Sequence, residues 1–194
     1  MNTTDGTIRA FVAIEIPEEG KTFLENILAD LRRTRADVKW VRLAGIHITL
    51  KFLGQISREL VDAIERDLTA LFAEYSPVEL TIRRLGAFPN LGKPRVVWAG
   101  IDEGSGALSS MANKVEAVLE PLGFEREKRK FSPHLTLGRV KSRSGMSELI
   151  DAVRQELDVT GPTFVATEAI LFQSILKPSG AEYRAMCRFA LSRH

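Results

Sequence analysis

His47-Ile48-Thr49-Leu50 and His134-Leu135-Thr136-Leu137 repeat one pattern, a histidine followed two positions later by a threonine. The chain has three histidines, and two of them carry it. Thr fills 12 of 194 positions, which puts the odds of this by accident at about 0.01. On a β-strand, residues i and i+2 share a face. Each segment then shows an imidazole and a hydroxyl to one side and two aliphatic side chains to the other. Two such faces set together would supply two proton-transfer groups and two hydroxyl donors, a constellation suited to a phosphoester. One neutral imidazole can take a proton from water while a protonated one gives a proton to a leaving alkoxide. The hydroxyls can hydrogen-bond phosphate oxygens and stabilise charge where it develops.

Other chemistries fit less well. A zinc site built on these histidines would need carboxylates beside them, and neither segment has an acidic residue at i±2. No metal and no cofactor are therefore expected. Cys187 lies in the apolar stretch Met186 to Leu191 with no base nearby, so it is read as a buried inert thiol rather than a nucleophile. His194 is the last residue and reads as a solvated tail.

A length of 194 residues suits one domain, or two small lobes sharing a core. Hydrophobic residues make up 44% and charged residues 27%, ordinary values for a globular protein. Net charge is +2, so composition gives no global electrostatic argument for nucleic acid. One cysteine excludes an internal disulfide and fits a reducing compartment. Met1 to Thr7 is polar and the apolar run after it has only a strand's length, so neither a signal peptide nor a membrane span is expected. A cytoplasmic monomer is the expectation.

The elements that must position the histidines follow from periodicity. A strand is expected over Ile8 to Ile16, then a helix over Glu18 to Arg33 with Phe23, Leu24, Ile27, Leu28 and Leu31 at helical spacing. The extended stretch Val38 to Leu43 precedes the first histidine strand, about Ile46 to Leu53, ended by Gly54. Ser57 should cap a helix over Arg58 to Tyr75. A strand from Val78 to Leu85 and a Gly- and Pro-rich loop, Gly86 to Pro94, come next. The order then recurs: strand Arg95 to Ile101, helix Ala107 to Leu122, histidine strand His134 to Val140, helix Met146 to Leu157, strand Thr163 to Phe172, and a last strand over Tyr183 to Leu191.

The two histidines stand 87 residues apart. The same offset lays Phe11 on Trp98, Ala13 on Gly100, Ile14 on Ile101 and Glu15 on Asp102. The chain therefore reads as one α+β domain, 1–194, of two pseudo-symmetric lobes. Each lobe would be an antiparallel-rich sheet backed by helices, formed by duplicated halves at roughly 8–86 and 95–174, with a final strand at 183–191. A pseudo-two-fold would set the histidine strands side by side and place the active cleft between the lobes.

At these residues the sequence resembles the two-histidine phosphoesterases, specifically the RNA 2′,3′-cyclic phosphodiesterases once called LigT-type 2′-5′ RNA ligases. The resemblance spans nearly the whole chain. It is carried by Phe11-Val12-Ala13-Ile14, by His47 through Gly54, by Gly86-Ala87-Phe88-Pro89, by Pro94 through Trp98, by Phe131 through Arg139, and by Gly180-Ala181-Glu182-Tyr183. It implies that His47 is the proton donor and His134 the proton acceptor, with Thr49 and Thr136 holding the phosphate and a 2′-phosphomonoester as product. The implied partner is an RNA or oligonucleotide with a 2′,3′-cyclic end, tRNA fragments among them. The rivals are 2′-5′ ligation of tRNA halves, which is the same bond chemistry reversed, and a nucleotide-binding module with little catalysis.

Lys51 shares strand parity with His47 and Thr49, so it is expected either to line the cleft or to sit at a solvated strand end. Arg139 has the wrong parity, but Gly138 before it would let the strand bend and bring the guanidinium to a phosphate. Arg126, Lys128, Arg129 and Lys130 read as a solvated hairpin or as a track for RNA phosphates. Phe11, Phe52 and Trp98 are read as core aromatics rather than base-stacking surfaces.

Overall fold

A computed structural model describes residues 6–178 and 180–193. His194, and most of the polar N-terminal stretch weighed above, lie outside the described residues. Nine strands and four helices follow one another as β1 (Thr7–Glu15), α1 (Glu18–Arg33), β2 (Val38–Trp40), β3 (His47–Ser57), α2 (Leu60–Phe72), β4 (Val78–Phe88), β5 (Val96–Asp102), α3 (Ala107–Leu119), β6 (His134–Val140), α4 (Met146–Gln155), β7 (Thr160–Ala166), β8 (Glu168–Lys177) and β9 (Gly180–Ala190). Eight strands form one sheet in the order β7-β4-β5-β6-β3-β1-β8-β9, with β2 added on β6. All pairings are antiparallel. No described helix is long and apolar enough to cross a membrane.

Amphipathic helices cover one face of this sheet. Helix α1 buries Leu24, Ile27, Leu28 and Leu31, carries Glu18 and Glu19 in its first turn, and ends on Arg32 and Arg33. That charge order matches the helix dipole. Helices α2 and α3 pack beside β3, β8 and β9, whereas α1 and α4 pack beside β7 and β4. The core contains Ile48, Leu50, Leu135 and Leu137, the aliphatic members of the two histidine segments. Alternation then leaves His47, Thr49, His134 and Thr136 on the other face.

The strands form one continuous sheet, and their pairing does not follow the contiguous halves 8–86 and 95–174. Strand β4 belongs to the first half, yet it pairs with β5 and β7; β8 belongs to the second half and pairs with β1. The reason is local. A short loop joins β4 to β5, and strands so joined close as a hairpin. The sequence division at 86/95 falls inside that hairpin. The stretch read as one strand, Thr163 to Phe172, is two strands that part at Thr167, β7 pairing with β4 and β8 with β1 and β9. The order β4-β5-β6-β3-β1-β8 is still palindromic about the β6/β3 junction, so the two halves match with their outer strands exchanged.

Strand β3 continues past Gly54 to Ser57, and α2 begins at Leu60 without a Ser57 cap. Antiparallel pairing with β1 accommodates Gly54, which has φ of +71°.

Candidate active site

The histidine strands touch at one registered pair, Ile48 opposite Leu135. Carrying that antiparallel register one residue each way sets His47 across from Thr136 and Thr49 across from His134. Residues so opposed stand about 4.5–5.5 Å apart at Cβ. Each histidine is thus beside the other segment's threonine, and the two imidazoles lie on a diagonal with the hydroxyls on the other.

Both rings are oriented alike. His47 Nδ1 lies 2.8 Å from the Gly45 carbonyl and His134 Nδ1 lies 2.7 Å from the Ser132 carbonyl. A carbonyl only accepts, so each Nδ1 bears a hydrogen and each Nε2 is the atom that exchanges protons. Their surroundings differ. Phe11 stacks on His47 with ring centroids 4.6 Å apart, and Tyr183 meets that ring edge-on at 5.1 Å. Around His134 the neighbour is Phe88, edge-on at 5.0 Å. Burial lowers the His47 pKa to about 4, opposed by the Gly45 hydrogen bond and helped slightly by His134. Burial also lowers the His134 pKa, and the Arg139 guanidinium contributes in the same direction.

A matched pair of β-bulges settles the secondary candidates. Ala13 opposes Thr49 while Val12 opposes Lys51, which makes Leu50 an extra residue. Trp98 opposes Thr136 while Val97 opposes Gly138, which makes Leu137 an extra residue. A bulge reverses the facing of everything after it. Lys51, placed in the cleft by parity, instead turns into the core: it is 6% exposed and its ammonium bonds the Glu116 carboxylate on α3 and, at 2.9 Å, the Glu125 carbonyl. It is neither a cleft residue nor a solvated strand end. Arg139 turns onto the histidine face, and Phe52 does the same in β3, where it is 63% exposed with its ring 5.9 Å from Phe11. Gly138 serves a different purpose from the expected bend: a Cβ there would lie 2.6 Å from Val38 and 2.7 Å from the Trp40 ring, so glycine lets β2 close over β6.

The aromatics are not ordinary core. Phe11, Ala13, Ile170 and Phe172 form a small apolar cluster separate from the main one. Phe172, Tyr183 and Phe88 were not singled out as site residues. Phe88 and Tyr183 do stand in the short segments that carry the family resemblance. The register also corrects the 87-residue offset along β1 and β5: the residue in the place of Trp98 is Ala13, not Phe11. Arg126 pairs with Glu120, while Lys128, Arg129 and Lys130 are exposed. Among the described residues, no three His, Cys, Asp or Glu side chains gather as a metal site.

The two imidazoles with free Nε2 atoms, the two threonines and Arg139 thus share one face of the sheet. The chain belongs to the 2′-5′ RNA ligase superfamily, whose family model matches residues 20–172. It is 37% identical over 177 residues to the RNA 2′,3′-cyclic phosphodiesterase of Archaeoglobus fulgidus, covering 91% of this chain and 97% of that one. The protein of the same name from Methanothermobacter thermautotrophicus is 32% identical over 184 residues, 95% and 99% of the two chains. Among solved structures, a Thermus thermophilus protein superposes with a TM-score of 0.80 at 26% identity, covering 95% of this chain and 98% of that one. The E. coli LigT structure complexed with 3′-AMP shares the fold, with a TM-score of 0.75 at 24% identity over 96% and 99% of the chains.

Proposed function

We propose that this chain hydrolyses the 2′,3′-cyclic phosphate at an RNA end to a 2′-phosphomonoester by paired acid–base catalysis. The observation that carries the reading is the diagonal pair of histidines, each with Nδ1 tied to a carbonyl and Nε2 free. The names of the relatives at 37% and 32% identity support the same substrate class. His134 Nε2 takes a proton from water as the water oxygen bonds phosphorus. The bond from phosphorus to O3′ breaks, and His47 Nε2–H protonates O3′. Thr49 and Thr136 hold non-bridging oxygens, and Arg139 adds a charge-assisted contact.

Both histidines are neutral in the empty site at pH 7, so the substrate's negative charge must draw the acid proton onto His47. The Phe11 face stacked on that ring favours an imidazolium there. Arg139 opposes one on His134. The pool this reading points to is RNA fragments, tRNA fragments included, acted on by a cytoplasmic monomer. With a ribose 5′-hydroxyl in place of water, the same step would form a 2′-5′ linkage, which the superfamily's name makes the second reading.

The test is an oligonucleotide with a 2′,3′-cyclic end, incubated with the protein in EDTA, followed by identification of the end group. A 2′-phosphate is expected, and His47→Ala and His134→Ala should each lower turnover about 10²–10⁴-fold. A 3′-phosphate would reverse the assignment of acid and base. Binding without turnover would make the chain a nucleotide-binding module.

A further inference from the structure

Trp98 marks one difference between the two histidine segments' neighbouring strands, since Ala13 holds its place beside Thr49. Its cross-strand partners are Thr136 on one side and Gly86 on the other, so it shares the histidine face. A Cβ at Gly86 would fall 2.3 Å from the indole ring, and one at Gly100 would fall 3.3 Å from it. The ring therefore lies across two glycines, with one face against backbone. Trp98 is only half-buried, so part of its ring remains open. Its Nε1 finds no acceptor among the described residues, so the indole is held by its faces and not by a hydrogen bond. Phe88, 5.2 Å away, braces it and also touches His134.

A cavity of about 630 Å³ opens against this ring, with Asn90, Ser132 and Asp158 among its lining. Ser132 is also the residue whose carbonyl orients His134, so the cavity adjoins the segment that holds that ring. Asn90 Oδ1 accepts the Lys93 N–H, which leaves its amide N–H groups for a ligand. A bare phosphate makes no use of an indole face, and a purely apolar ligand makes none of an amide, a hydroxyl and a carboxylate. A nucleobase uses both, one through its π face and the other through its polar edge.

We propose that Trp98, laid on Gly86 and Gly100, is the stacking surface of a nucleobase subsite on the His134 side of the cleft. The base is either that of the terminal nucleotide or that of its 5′ neighbour. The inference rests on the phosphodiesterase reading for its substrate, and its main test does not require turnover.

Trp40→Phe leaves Trp98 as the sole indole of the chain. Titrating that variant with adenosine 2′-phosphate should quench its fluorescence to saturation, while inorganic phosphate should not. In Trp98→Leu the nucleotide should bind about 5- to 100-fold more weakly with phosphate affinity unchanged, and Trp98→Phe should keep most of the affinity. KM then locates the base. A rise in Trp98→Leu for both cyclic mononucleotide and cyclic-ended dinucleotide assigns the terminal base; a rise for the dinucleotide alone assigns its neighbour. Equal response to nucleotide and phosphate, or nucleotide affinity within twofold of wild type in Trp98→Leu, overturns the inference. Turnover without quenching sinks the subsite alone. Quenching without turnover on any cyclic phosphate sinks the phosphodiesterase reading and leaves the subsite standing.

Discussion

His47 ties stability to the same proton that the chemistry needs. Its folded-state pKa is about 4 because burial removes water from the ring, against 6.5 in the unfolded chain. Above pH 6.5 the ring is neutral in both states and costs nothing. As pH falls from 6.5 toward 4, the unfolded chain takes up a proton that the folded chain refuses, so stability drops; below 4 the loss levels off. At pH 4.5 the two values give a loss of about 2.5 kcal/mol. His47→Gln removes that titration and leaves the His134 contribution in place. Urea denaturation of wild type and variant at pH 7.0 and 4.5 measures it. The variant should gain on wild type by about 2.5 kcal/mol between the two pH values. Inorganic phosphate should stabilise wild type more at pH 5 than at pH 7, because the anion pays for the imidazolium. A gap that changes by less than about 0.5 kcal/mol between the two pH values would mean that His47 is not desolvated as argued.

The ion pair of Lys51 offers a second test. Lys51→Met strands the Glu116 carboxylate, which keeps only the Glu127 N–H at 3.2 Å. The loss should be about 3–5 kcal/mol, or a fall of about 6–20 °C in Tm. Adding Glu116→Met should recover most of it, while turnover at low temperature stays within a few-fold of wild type; thermal unfolding and a single-temperature assay check both. Arg139→Ala should raise KM for a cyclic phosphate about 10- to 100-fold. It should also shift the His134 limb of the pH–rate profile to higher pH, since the cation no longer opposes protonation.

The histidines and threonines were legible because a two-residue period is a local property of a strand. Helix α1 was legible for the same kind of reason, its apolar positions recurring at 3.6. Lys51 and Arg139 were not, because one extra residue at Leu50 and another at Leu137 reverse the facing beyond them, and neither leucine differs in type from an ordinary strand residue. Glu116 has no signal at all: it is a helix residue whose importance comes from a lysine 65 positions away. Strand pairing departs from the contiguous halves because strand exchange is decided by which strands a short loop joins, and the order of elements along the chain is the same either way.

The two histidine segments match in sequence, in bulge and in the carbonyl that holds each ring, so none of these can make one an acid and the other a base. The neighbouring strands can. Along β3 and β6 the residue that the bulge turns onto the cleft is Phe52 in one copy and Arg139 in the other. Along β1 and β5 the facing residue is Ala13 in one copy and Trp98 in the other. His134 therefore has a permanent cation beside it, whereas His47 has the Phe11 and Tyr183 rings. A second positive charge is opposed near Arg139 and tolerated over the Phe11 ring once a phosphate lies beside it. In the empty site burial holds the His47 pKa at about 4, so the proposed acid role requires the bound phosphate to outweigh that burial. On the proposed assignment the general base, His134, stands on the Trp98 side of the site.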